Sequence, residues 1–263
     1  MESGGAVRSD RFAHTPDRAA IDLRTDFISR PTRSMVEAMV RAANAAPGFG
    51  LRDDPTVAAL ERRAAEILGK EDALFCPTCT AANQIAINVQ TAPGDRVAAD
   101  ATSHIITSEG GAPGALSGVM MQGIPGHRGE MPMDVLAATL DAGDPIQGRT
   151  RLVVIENTHV RSGGTVLSLD YMTRVRKEAA ARNIRVHLDG SRLFNAAAAL
   201  GVMGRPFHRA KRWTINGPNG LSQRSYKPSP LTKLSSSIRP HQSANTSSFV
   251  ATAWARHRAA RLM

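Results

Sequence analysis

The sequence predicts an α/β fold, a mostly parallel β-sheet flanked by helices. Three observations point there. Short apolar runs alternate with helical patterns of about ten to fifteen residues, the rhythm of crossover units. The run Leu152-Val153-Val154-Ile155 is continuously apolar and leads straight into Glu156-Asn157-Thr158-His159, as a buried strand ending in a polar loop would. The stretch Ile184-Arg185-Val186-His187-Leu188-Asp189-Gly190-Ser191-Arg192 alternates, ends in an acid and breaks at a glycine. A strand-to-helix corner at the carboxyl end of a parallel strand is where open α/β sheets bind ligands.

In chain order, residues 21–30 read as a short extended piece stopped by Pro31. Thr32 is placed to cap a helix over 33–45, with Met35, Ala38, Met39 and Ala42 at helical spacing. Asp54-Pro55 is a strong helix start, an acid at the cap and proline at the first helical position. Val57, Leu60, Ala64, Ile67 and Leu68 continue it as one stripe, and Gly69 closes it. Ala73-Leu74-Phe75 precedes Cys76-Pro77-Thr78-Cys79-Thr80, and a helix is expected over 81–90. Residues 96–100 and 118–123 read as strands, and 133–142 as a helix. Gly163-Gly164 is a turn, a helix covers 170–183 with Met172, Val175 and Ala179 on one side, and Ser191 is placed to cap the last helix.

At 263 residues and 42% hydrophobic content the chain can bury a substantial core. The net charge of +10 suggests nucleic acid, but its distribution argues otherwise. Residues 202–263 carry 11 Lys or Arg and no Asp or Glu, whereas residues 1–201 carry 22 basic and 23 acidic residues. The body is near neutral and the basicity belongs to the tail, so nucleic acid is not an expected partner. Residues 1–20 are polar and read as a flexible leader, with Glu2, Asp10 and Asp17 arguing against a mitochondrial address. No secretory or membrane-spanning apolar run is present in the sequence, and its two cysteines form no disulfide framework, so the expected location is a reducing cytoplasm.

The candidate site follows from where polar residues meet predicted strand ends. Thr78, Cys79 and Thr80 stand at a helix start, where free amides and the helix dipole favour an anion such as phosphate. Cys76-x-x-Cys79 matches the spacing of a redox or zinc pair, but without a second pair no metal ligand set is read from it. His104, His159, and Asp189 with Arg192 each fall just after a predicted strand, so a parallel sheet brings them to one edge.

Over 21–202 these pieces resemble the low-specificity threonine aldolases, members of the aromatic amino acid β-eliminating lyase superfamily of pyridoxal-phosphate enzymes with the fold-type I architecture. The resemblance lies in Asp22-Leu23-Arg24-Thr25-Asp26, Arg30-Pro31-Thr32, Asp54-Pro55-Thr56-Val57, Phe75-Cys76-Pro77, Thr80 and Asn83-Gln84. It continues in Ser103-His104, Glu109-Gly110-Gly111, Glu156-Asn157-Thr158-His159, Gly163-Gly164-Thr165 and His187-Leu188-Asp189-Gly190 with Arg192. It implies a large domain over 21–201 binding pyridoxal 5'-phosphate. In it Asp189 pairs with the pyridinium nitrogen, His104 stacks on the ring, and Thr78, Cys79 and Thr80 hold the phosphate. Arg192 contacts the cofactor and the substrate carboxylate with Thr25 nearby, and His159 handles the β-hydroxyl proton. The family reaction splits threonine into glycine and acetaldehyde, and family members are homo-oligomers acting on small amino acids.

The chain departs from the pattern in four places. The phosphate loop has Cys79 where the family has glycine, Leu51-Arg52-Asp53 replaces Tyr-Gly-Glu, and Ile106 replaces a tyrosine. The Schiff-base lysine expected nearly thirty residues after Asp189 is not found, since Gly217-Pro218-Asn219-Gly220 occupies that region and Lys211 and Lys227 do not match. Residues 202–263 therefore read as a divergent, disordered or poorly packed basic tail, with the sheet incomplete and the small domain missing. The resulting expectation is a threonine-aldolase-like lyase with impaired turnover. The alternatives are a noncatalytic partner of an intact subunit and a β-eliminating lyase acting on another amino acid.

Overall fold

The computed structural model describes residues 25–46, 48–49, 52–143 and 146–202, with the backbone of 213–216 and 250–251. Helices α1 (Arg33–Ala43) and α2 (Pro55–Leu68) come first, then strand β1 (Phe75–Cys76) and helix α3 (Cys79–Asn88). Strand β2 (Arg96–Asp100) is followed by two short helices, α4 (His104–Thr107) and α5 (Ala112–Ser117), and by strand β3 (Met120–Ile124). Then come α6 (Met133–Asp141), β4 (Thr150–Glu156), α7 (Leu169–Ala181), β5 (Arg185–Asp189) and α8 (Leu193–Ala199). Strands β6 (Trp213–Asn216) and β7 (Val250–Ala251) complete the description.

Five strands form one sheet in the order β3-β2-β4-β5-β6, every neighbouring pair parallel. β1 pairs antiparallel with β7 apart from it. The pleat divides the core into two layers. Ala98, Val153, Ile155, Val186 and Leu188 pack with Leu68, Leu136, Leu140, Tyr171 and Val175 from α2, α6 and α7. Val97, Ala99, Leu152 and Val154 pack on the opposite face with Ile87 and Ile105 from α3 and α4. Successive residues of β4 thus enter opposite layers, which is why its sequence is an unbroken apolar run. No described helix is long and apolar enough to cross a membrane.

The caps form largely as the sequence predicts. Asp54 Oδ1 accepts from the amides of Thr56 and Val57 at 2.8 and 2.9 Å, and Gly69 ends α2 at φ 60°. Thr32 caps α1, Thr78 Oγ1 accepts from the Ala81 amide at 3.0 Å, and Ser168 Oγ caps α7. Four expectations are corrected. Asp26–Ile28 is a 3₁₀ turn rather than extended, with the Asp26 carboxylate engaged by Arg192. The third strand starts at Met120, because Gly118 at φ 63° is used to cap α5. The helix after β1 begins at Cys79 rather than 81, since Thr78 supplies its cap. Ser191 does not cap α8; Asp189 Oδ1 already accepts from its amide, and its hydroxyl lies 3.4 Å from Cys79 Sγ. Two strands, β6 and β7, fall within the stretch read as a tail, and the rest of 203–263, with Lys211 and Lys227, lies outside the described residues, as does the leader.

Lys70 follows α2 and is half-buried, and loss of hydration pushes its ammonium down to about 8. Between about pH 8 and the ordinary value of 10.5 the unfolded chain holds this proton and the folded chain does not. Stability therefore rises with pH across that window and the benefit is absent below it. Urea midpoints measured between pH 8 and pH 10 are expected to climb in the parent chain and to climb less in Lys70→Met.

Candidate active site

β3 lies on one side of β2 and β4 on the other, so the chain reverses direction across the sheet between β2 and β4. Crevices at such reversals, outside the carboxyl ends of the strands, are the ligand sites of open α/β sheets. Here those ends carry Asp100, Glu156 and Asp189, all buried, with Glu156 in register beside Asp189.

Glu156 organises the loops above it. Its Oε2 accepts from the His104 amide at 2.7 Å and its Oε1 from the Val160 amide at 2.9 Å. It therefore anchors the start of α4 and the turn after β4. The His104 ring, half-exposed, places Nδ1 3.0 Å from Glu109 Oε1, and this carboxylate raises the imidazole above its ordinary value.

The same Glu109 oxygen meets a fully paired amide. Asn83 Nδ2 donates to Glu109 Oε1 at 2.8 Å and to Asp189 Oδ2 at 2.9 Å. Its Oδ1 must then be the acceptor toward His187 Nε2, 2.8 Å away, which places the proton of that buried imidazole on Nε2. Gln84 Nε2 adds a 2.6 Å bond to Glu109 Oε2. Burial, then the charge of Glu156, pushes Asp189 up to about 7 against the opposing hydrogen bond from Asn83. The pocket holds more carboxylate than it holds cation, and a cationic ligand group relieves that imbalance.

The other expected residues distribute around this centre. Cys79 opens α3 with its thiol leaning on Ser191, and burial pushes that thiol up, away from the thiolate. No disulfide joins Cys76 and Cys79. Thr78 is exposed and Thr80 half-buried in the first turn of the same helix. Arg192 forks onto Asp26 with bonds of 2.6 and 3.0 Å, and Thr25 also hydrogen-bonds Asp26, so the N-terminal turn closes one side. Arg52, in place of the family's glycine, holds its loop to Glu61 and Asp72 and takes no part here.

His159 is placed differently from His104. It is 1% exposed, with Nε2 3.3 Å from Asp100 Oδ1 and 3.9 Å from Glu156 Oε2, and among the described residues neither ring nitrogen makes a hydrogen bond. The turn from His127 to Glu130 covers it, and a Cβ on Gly129 would stand 2.5 Å from its ring at φ +85°. Gly129→Ala is expected to cost about 2–3 kcal/mol, from left-handed strain plus displacement of a buried ring, read as a lowered thermal midpoint.

Among the contributors, Asn83, Gln84, Glu109, Glu156 and His187 had no assigned role from sequence. The legible signal is the polar pair Asn83-Gln84 between buried Ala82 and Ala86 in the middle of the helix. Two amides buried in such a helix require partners.

Comparison with known families decides the relationship. The family model described as "Beta-eliminating lyase" matches residues 22–208. The chain belongs to the beta-eliminating lyase family. This lyase-family chain is 38% identical over 182 residues to the low specificity L-threonine aldolase of Escherichia coli K12, covering 69% of this chain and 53% of that protein. It is 37% identical over 194 residues to low-specificity L-threonine aldolase 1 of Arabidopsis thaliana, covering 72% and 53%. A solved threonine aldolase from Leishmania major superposes with TM-score 0.66 at 23% identity, covering 76% of this chain and 61% of that one. The α/β fold is thus that of its relatives, and this lyase-family chain spans about half the length of the curated relatives it matches.

Proposed function

We propose that the chain binds pyridoxal 5'-phosphate at the Asp189–His104 site and carries the cofactor-binding part of a threonine-aldolase-type lyase. The observation that carries this reading is Asp189, 3% exposed, fixed by Asn83 and crowded by Glu109 and Glu156. Such a carboxylate is suited to a protonated ring nitrogen. The bound cofactor would supply an electron sink for the pair released when the Cα–Cβ bond breaks.

The chain's own residues divide the remaining work. Asp189 holds a proton on the ring nitrogen, and Asn83 keeps that carboxylate aimed. His104, positioned by Glu109 and Glu156, covers the ring. The first-turn amides of α3, with the hydroxyls of Thr78 and Thr80, receive the phosphate. Arg192, with Thr25 beside its partner Asp26, faces the substrate carboxylate. His159, buried beneath the turn that holds Gly129, is the residue that would exchange the β-hydroxyl proton.

The lysines among the described residues are Lys70, after α2, and Lys177, exposed on α7. On this reading the chain holds the cofactor noncovalently and cleaves threonine slowly. The test is equilibrium dialysis of purified full-length chain with pyridoxal phosphate, followed by a glycine-release assay with threonine. Saturable binding of one equivalent supports the reading, and absence of binding overturns it. Borohydride trapping of the cofactor on a mapped lysine overturns the noncovalent part.

A further inference from the structure

We propose that His104, Glu109 and Asp189 form a binding site for a divalent first-row transition metal, Zn²⁺ foremost, and that the metal and the cofactor exclude each other. The competition rests on the functional reading above; the metal site does not.

One donor atom from each of the three side chains lies within 4.8 Å of the other two. Glu109 and Asp189 are buried, and His104 leaves one side open to solvent. Sequence spacing hides this set, because its members come from the start of α4, the loop after it and the end of β5. One imidazole with two carboxylates is a donor set for zinc, cobalt or manganese, poorer for the all-oxygen preference of magnesium and calcium.

The carboxylates are oriented before any ion arrives. Asn83 holds one oxygen of each, and Gln84 holds the other oxygen of Glu109. Outer hydrogen bonds of this kind fix ligand geometry and sustain affinity. Gln84 serves the cluster through its nitrogen, while its buried Oε1 has no hydrogen-bond partner among the described residues.

Metal bonds of about 2.0–2.2 Å draw the donors closer than they now stand. His104 is the member free to move, since its helix is four residues long and its ring is half-exposed. On binding, the imidazole gives its metal-facing proton to solvent, and two carboxylates and one neutral imidazole enclose the ion. A coordination position remains on the solvent side. Because Asp189 would bond either the ion or the ring nitrogen, the two ligands cannot share the pocket.

The experiment titrates tag-free, cofactor-free full-length chain with Co²⁺ and follows its visible absorption. Expected is a band saturating at one equivalent, displaced by Zn²⁺ and bleached by pyridoxal phosphate. Glu109→Gln and His104→Gln should each weaken Co²⁺ binding at least tenfold, with thermal melts confirming that both variants fold. No band, or a band of unchanged affinity in both folded variants, overturns the site. A band that pyridoxal phosphate leaves intact overturns the competition. Cofactor binding is measured separately by its own fluorescence in metal-free buffer. Co²⁺ binding without cofactor binding supports the metal site while the functional reading fails, and the reverse result overturns the metal site alone.

Discussion

Asn83→Ala is expected to lower the melting temperature by about 6–16 °C and to abolish cofactor retention. One amide serves three buried groups, donating to Glu109 and Asp189 and accepting from His187. Truncation leaves each of them short of a partner in a place that water does not freely reach. An unmet buried polar group costs about 1–3 kcal/mol, and more when it is charged. Three such losses at the low end already reach roughly 3–4 kcal/mol, and each kilocalorie moves the midpoint of a body this size by about 2–4 °C. The same helix supplies the control. Asn88 is exposed, with bonds of 3.4 and 3.3 Å to Leu116 and Ser117 at the rim, and Asn88→Ala is expected to change stability by about 0.5 kcal/mol or less. Thermal denaturation followed by circular dichroism separates the two. Equal small effects would mean that the carboxylates are solvated and the amide is incidental.

Why was the scaffold easier to read than this hub? Local chemistry determines most of the elements. Asp54-Pro55 starts α2 because the acid caps two amides and proline needs none, and both facts sit within four residues. The apolar run of β4 is legible because burial on both faces leaves no polar alternation to confuse it. The hub is nonlocal. Asn83 meets residues 26 and 106 positions away, so its role appears only once β5 lies against α3. His104 illustrates the same limit. The sequence places it just after a strand and assigns no helix there, but the Glu156 carboxylate, 52 residues on, accepts from its amide at the start of α4. His159 was legible as a strand-end residue, while the turn that buries it was not, because that turn forms after β3 and packs across strand boundaries. β6 escaped notice since Trp213-Thr214-Ile215-Asn216 is a brief alternation inside a basic, weakly periodic stretch.

Asp189→Asn should separate function from stability, moving them in opposite directions. Asparagine keeps the shape of aspartate and its oxygen can still accept from Asn83, while its NH2 then faces the Ser191 N–H, now 3.3 Å from Oδ1, and cannot accept from it. What disappears is a buried charge beside Glu156, whose repulsion and whose burial hold the carboxyl far above its ordinary range. Removing that charge is expected to leave the cofactor-free chain as stable as before, or more stable by ~1–2 kcal/mol at neutral pH. Cofactor affinity is expected to fall by about 100-fold, the equivalent of one buried ionic hydrogen bond of ~3 kcal/mol. A site built for chemistry carries this signature, strained when empty and satisfied by its ligand. Paired urea melts and pyridoxal phosphate titrations of the two chains decide it. Unchanged affinity would remove Asp189 from the ring nitrogen, and a large loss of stability would make the carboxylate a structural strut instead.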